Sequence, residues 1–223
     1  MAIESQGCLV RRQSTAAGTT ATVTAATIGF SSAHEITRSD AGSFVTDGFV
    51  AGMRVENNST SNSTLVFTLS SVAATSMGIY DTLTTQTTGA SITLTGHTMA
   101  AIGEVAGFNG PNGAANVIDV THLASTAKEK LIGIRDEGQV SLDIIYDTNA
   151  TAFHTAMRID RQARTRRIYD ITMTDNGTLF SQPSAHYFDA YITNFSITGA
   201  VDDVVKGSIT LEITSAVRFI SAI

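Results

Sequence analysis

Cysteine occurs once in these 223 residues, proline twice and tryptophan not at all. A single thiol, Cys8, cannot close an intramolecular disulfide, so the fold must rest on packing, and a small buried or interfacial role suits that residue. Scarce proline leaves backbone N–H groups free along the chain, as central strands require. No run reaches the roughly 18 apolar residues of a membrane span, because Thr, Ser and Gly interrupt the longest candidates. The segment Met1–Gln13 lacks the long apolar stretch of a secretory signal, so assembly in a reducing cytoplasm is expected. Basic charge is also short: 14 Lys and Arg stand against 20 Asp and Glu, a net charge of −6. That balance argues against a protein that grips nucleic-acid phosphates.

What is present is Thr, Ser, Val and Ile in short alternating runs between Gly- and Asn-rich breaks, the pattern of an all-β protein. Four runs in the second half have clear period two. In 139–146, Val140, Leu142, Ile144 and Tyr146 oppose Ser141 and Asp143. In 167–173, Tyr169, Ile171 and Met173 oppose Ile168, Asp170 and Thr172. In 191–197, Tyr191, Thr193, Phe195 and Ile197 oppose Ile192, Asn194 and Ser196. In 208–214, Ile209, Leu211 and Ile213 oppose Ser208, Thr210, Glu212 and Thr214. Each is expected to have one apolar and one wetter face. One helix interrupts them, over Asn149–Ala163, with Ala152, Phe153, Ala156 and Met157 at helical spacing and Thr148 or Asn149 as its cap. Asp175-Asn176-Gly177 reads as a turn.

Catalytic patterns are missing. The histidines at 34, 97, 122, 154 and 186 are scattered and read as surface or interface residues, and no His-Glu-x-x-His, Gly-x-Ser-x-Gly or phosphate-cradling glycine loop occurs. No enzyme and no cofactor is expected. Arg158, Arg161, Arg164, Arg166 and Arg167 form the one basic cluster. Without interleaved aromatics it fits carboxylate pairing between subunits better than nucleic acid.

Residues 14–100 differ in texture, being rich in Thr, Ser and Ala with strand candidates at 22–28, 35–39, 53–56, 65–72 and 90–95. The pieces Ile36-Thr37-Arg38-Ser39, Gly42-Ser43-Phe44, Asp47-Gly48-Phe49 and Gly52-Met53-Arg54-Val55 resemble a small β-module found in phage structural proteins. The flanking sequence has a resemblance of its own. Ile102-Gly103-Glu104-Val105, Asn109-Gly110-Pro111, Ile118-Asp119-Val120-Thr121, Ser125-Thr126-Ala127-Lys128-Glu129 and Gly133-Ile134-Arg135-Asp136-Glu137-Gly138 are similar to the tail tube proteins of long-tailed, lambda-like phages (siphoviruses). So are Phe188–Ile197, Val201–Val205 and the arm Met1–Gly7.

The resemblance implies a tail-tube-type β-sandwich or barrel with one flanking helix, split as 1–13 and 101–223, with 14–100 inserted as an exterior module that could be cut out without loss of the tube. It also implies hexameric rings stacked into a conduit for genome delivery around a tape-measure protein. Tail terminator and distal tail proteins would be further partners, the virion tail the location, and a host cytoplasm the place of assembly. Under that reading Asp143, Asp170 and Glu212, with Ser141, Thr172, Asn194, Ser208 and Thr210, are candidates to line the channel. The connection from His122 to Gly138 is expected to be a long polar loop that reaches the next subunit. Its contact candidates are His122, Leu123, Ser125, Lys128, Glu129, Lys130, Arg135 and Asp136, joined by Arg158, Arg161 and Arg164 of the helix. The alternative is a virion or cell-surface β-module that binds glycans or receptors through loops.

Overall fold

The computed structural model describes residues 7–15, 19–149, 153–176 and 182–222. Those residues form an all-β fold with one helix and no closed barrel among them. Its contacts divide it into two compact units: 1–101 with 168–187 and 218–223, and 102–167 with 188–217.

In the first unit, β2 (Thr20–Ala25), β3 (Ile28–Ser31), β4 (Glu35–Arg38), β5 (Arg54–Asn57), β6 (Val66–Val72), β7 (Ser76–Ile79) and β8 (Ile92–His97) form a seven-stranded sheet in the order β2-β8-β5-β6-β7-β4-β3. Its strands alternate, and the inward positions Ile28, Phe30, Ile36, Val55, Phe67, Leu69, Met77 and Leu94 join Phe44 and Phe49 in one apolar cluster. Each such side chain contributes roughly 1.5–3 kcal/mol on burial. Arg38 closes the 39–48 loop over this cluster. Its guanidinium binds Asp40 at 2.6 Å and Asp47 at 2.5 Å and lies over the Phe44 ring. The backbone at Gly42 passes so close to that guanidinium that a Cβ there would displace it.

The same unit holds β1 (Leu9–Gln13), β9 (Met99–Ala101), β14 (Arg167–Asn176), β17 (Arg218–Ile220) and the first residues of the sixteen-residue β15 (Pro183–Thr198). β1 pairs with β14 on one side and β9 on the other, with Arg12 opposite Ala100 and Gln13 opposite Met99. The two ends of the 14–98 stretch are therefore neighbours in a sheet. The half-wet strand expected at 167–173 is instead dry on both faces, with residues 168–172 all buried. Ile168 shares a cluster with Ala185, Tyr187, Ile220 and Val66 of β6. Val66 is the member of that cluster contributed by the 14–100 stretch.

The second unit contains β10 (Val105–Asn109), β13 (Gln139–Ile145), β16 (Lys206–Ile213) and the later part of β15, hydrogen-bonded in the order β10-β13-β16-β15. Val140, Leu142, Ile144, Ile192, Ile209, Leu211 and Ile213 are buried. A bulge between Ile192 and Asn194 leaves Thr193 as the extra residue. It overturns the single alternation expected over 191–197: Ile192 is buried, and after the slip Phe195 is the inward one.

The helix α1 spans His154–Ala163, later than expected. Neither Thr148 nor Asn149 caps it. Phe153, in a left-handed conformation with φ 61°, stands at the cap without a side-chain bond, and Ala152 lies outside the described residues. The helix buries His154, Met157 and Asp160, one face at helical spacing. His154 is thus a core residue, not a surface one. Its Nδ1 accepts the Asp147 N–H at 3.1 Å, its Nε2 donates to Gly103 O at 2.8 Å, and its ring stacks on Tyr146. His97 is buried as well. The turn expected at Asp175-Asn176-Gly177 runs out of the described residues, since β14 extends to Asn176.

Candidate interaction surfaces

In an antiparallel ladder, directly opposed residues put their side chains on the same face. Ser141 opposes Thr210, which opposes Asn194; Asp143 opposes Ser208, which opposes Ser196; Gln139 opposes Glu212, which opposes Tyr191. Asn109 and Gly107 of β10 extend the first two rows. Six of the eight polar positions picked from sequence, Ser141, Asp143, Asn194, Ser208, Thr210 and Glu212, therefore share one polar face, and each keeps some exposure. Gln139, Ser196 and Asn109 belong to that face too, and only the pairing register reveals them. Gln139 Nε2 donates to Glu212 Oε2 at 2.6 Å. Two acids and, in the next row, Lys206 opposite Ile145 and Thr198 carry the face's charge.

The other two candidates are placed differently. Asp170 is 0% exposed, and its carboxylate receives Arg11 Nε and Nη2 at 2.7 and 2.5 Å and Arg54 Nε at 3.1 Å. Thr172 is buried on the same strand. Neither can present a charge or hydroxyl to a wet channel. In the sequence, an Asp on an alternating strand gives no sign that two arginines, 159 and 116 residues away, will enclose it.

The second surface is the expected long loop, which is mostly a hairpin. β11 (Ala114–Asp119) pairs with β12 (Lys130–Asp136) in a two-stranded sheet of its own, with Val117 opposite Ile132, Ile118 opposite Leu131 and Asp119 opposite Lys130. Only 120–129 remains as connection. Thr121 organises it: its hydroxyl donates to Asp119 Oδ1 at 2.6 Å and accepts the Glu129 N–H at 3.0 Å. The Thr121 bonds hold the Asp119 carboxyl below its usual range. Opposed pairs alternate between the two faces, so both faces of the hairpin are apolar. Val117, Ile118, Val120, Leu123, Leu131, Ile132 and Ile134 are all exposed, Ile134 by 94% and Leu123 completely. His122 lies 4.0 Å from Glu129 and Arg135 pairs with Glu137 at 3.5 Å; Ser125 Oγ accepts the His122 N–H; Asp136 accepts the Gly138 N–H; Lys128 and Lys130 are exposed. At the hairpin's base Gly138 takes φ +70°, where a Cβ would strike the Asn112 carbonyl.

Arg158 and Arg161 of α1 and Arg164 at its C-cap are exposed, and Arg161 Nε donates to Thr193 O at 3.3 Å. Arg167 and Arg166 of the same cluster are used within the subunit, on Asp160 at 3.1 Å and Asp189 at 3.8 Å. Among the described residues no group of His, Cys, Asp and Glu could hold a metal ion.

The family described as phage tail tube, lambda-like, matches residues 81–222, more than half of the chain. Among solved structures, a chain of the 6-fold symmetrised anti-feeding prophage baseplate is similar at 12% identity, covering 56% of this chain and 84% of that one with a TM-score of 0.41. That likeness is too slight to bear on function. No curated protein matches.

Proposed function

The chain belongs to the lambda-like phage tail tube family, and from that premise we propose that six copies close a ring, that rings stack into a hollow tube, and that the tube conducts the genome around a tape-measure protein. The observation that carries this reading is the β11–β12 hairpin. A two-stranded ribbon is marginal alone in water, and one with apolar residues on both faces is incomplete until another surface covers it. Neighbouring copies are the natural cover. Contacts of this kind, head to tail, propagate as a filament, with the exposed Arg158 and Arg164, and the remaining nitrogens of Arg161, placed to reach carboxylates of the next copy.

In the proposed tube the polar face of β10-β13-β16-β15 turns to the channel. Asp143 and Glu212 repel passing phosphates there, while Ser141, Asn194, Ser208 and Thr210 offer no charged grip. Residues 14–100 lie outside. Assembly takes place in the host cytoplasm, and tail terminator and distal tail proteins cap the two ends. Electron microscopy of the purified protein at rising concentration tests this: six-fold rings and hollow tubes are expected. Particles that stay monomeric at every concentration and bind glycan arrays would favour a receptor-binding module instead.

A further inference from the structure

Three asparagines are followed by glycine, at 109, 112 and 176. In Asn-Gly the side-chain carbonyl carbon can swing onto the next backbone nitrogen, because glycine has no side chain to stand in the way. Asn112 is better placed for this than Asn109. It is exposed, it lies in the connection between β10 and β11 rather than in either ladder, and among the described residues nothing hydrogen-bonds its side-chain amide. Asn109 is held in β10 opposite Ser141, and the backbone of Gly110 is pressed onto Gln139, whose carbonyl a Cβ would strike. Asn176 is the last residue of β14, and the glycine after it lies outside the described residues.

We propose that Asn112-Gly113 is a site of spontaneous modification, where the unassembled chain converts Asn112 to isoaspartate. The Gly113 nitrogen gives up its proton and attacks Asn112 Cγ. The new N–Cγ bond closes a cyclic imide as the Cγ–Nδ2 bond breaks, and the side-chain nitrogen leaves as ammonia with that proton. Water then opens the ring. Addition at Cγ leaves aspartate, whereas addition at the main-chain carbonyl leaves isoaspartate, with the chain routed through Cβ and Cγ. Either product places a carboxylate where the neutral amide stood.

The position matters because it is the hinge of the hairpin. The Asn112 N–H donates to Gln139 O at 3.2 Å, its carbonyl lies against Gly138, and Gly138 O accepts the Ile213 N–H at 3.0 Å. These contacts tie the base of both hairpin strands to β16. An isoaspartate makes the main chain one atom longer than the standard repeat at this point, so the contacts cannot all be kept. On the tube reading above, on which this consequence rests, a subunit that waits too long unassembled loses the hairpin geometry it needs to join.

The test keeps the full chain dilute in mildly alkaline buffer and follows isoaspartate with time by peptide mapping and mass spectrometry. Isoaspartate should build up at 112 at least about tenfold faster than at 109, and Asn112→Gln, whose longer side chain closes the ring far more slowly, should show none at 112. Equal rates at 109 and 112, or an intact Asn112 amide once the urea-unfolded chain has reacted there, overturns the proposal. Sedimentation of the aged sample at assembling concentration then reads the consequence. Modified chains should stay several-fold enriched in the supernatant, while aged Asn112→Gln assembles like fresh protein; equal incorporation of modified and unmodified chains would remove the effect on the hinge. If fresh protein makes no tubes, the tube reading fails instead, and the mass measurement still decides the modification site.

Discussion

The seven-stranded sheet of residues 20–97 and the β11–β12 hairpin are both ladders of short antiparallel strands rich in β-branched residues, yet they treat those residues in opposite ways. The sheet turns Ile28, Phe30, Ile36, Phe67 and Met77 into a core from which water is excluded. The hairpin leaves Ile118, Leu131, Ile132 and Ile134 in solvent. The difference lies in what surrounds each ladder. Seven strands with a loop folded over them by Arg38 can cover their own apolar face, whereas two strands cannot cover either of theirs. A region that closes on itself supplies stability, and in the proposed tube a region that does not supplies association.

That contrast can be broken from either side. Phe67→Ala should cost about 3–5 kcal/mol of folding stability through the cavity it leaves, measured by denaturant unfolding, while surviving folded protein keeps its capacity to assemble. Ile132→Asp should do the reverse. Its unfolding free energy should stay within about 0.5 kcal/mol of wild type, but the critical concentration for assembly in light scattering should rise at least about tenfold, since a covered Ile contributes roughly 1.5–3 kcal/mol. Loss of strand signal in circular dichroism would instead make the hairpin part of the core.

A smaller effect separates lining from scaffold. Asp143→Lys with Glu212→Lys should leave tubes intact and slow DNA release from assembled tails; unchanged release would remove this face from the channel. The smallest effect is acid sensitivity of the self-contained sheet. The Arg38 hydrogen bond lowers the Asp40 carboxyl from 3.8 to about 2. Its contribution is therefore complete above 3.8 and lost as pH falls through about 2. Asp40→Asn should flatten the stability profile across that window, read by thermal melts.

Much of the polar face was legible in the sequence because period-two alternation survives wherever one side of a strand is wet. Ser141 and Asp143 alternate with Val140, Leu142 and Ile144, and the register then carries their neighbours along. Alternation failed where a local or distant feature intervened. The bulge at Thr193 reversed the phase within one strand. Asp170 sits on a strand with an alternating pattern but is enclosed from both sides, and no local signal names Arg11 and Arg54 as its partners. The hairpin is not legible as strands because, with both faces apolar, 130–136 shows no alternation to recognise. The helix start differs from the one the sequence suggests because Thr148 and Asn149 have the chemistry of a cap, whereas the buried bonds of His154 to Gly103 and Asp147 fix where the chain turns.

Amide hydrogen exchange over 114–136, compared between monomer and assembled tube, tests most directly whether the hairpin is the associating element. In the monomer these amides should exchange quickly, as expected of an isolated two-stranded ribbon with exposed hydrogen bonds. In the tube they should become strongly protected, while amides of 66–72 in the closed sheet stay protected in both. Equal exchange of the hairpin in monomer and tube would contradict the account.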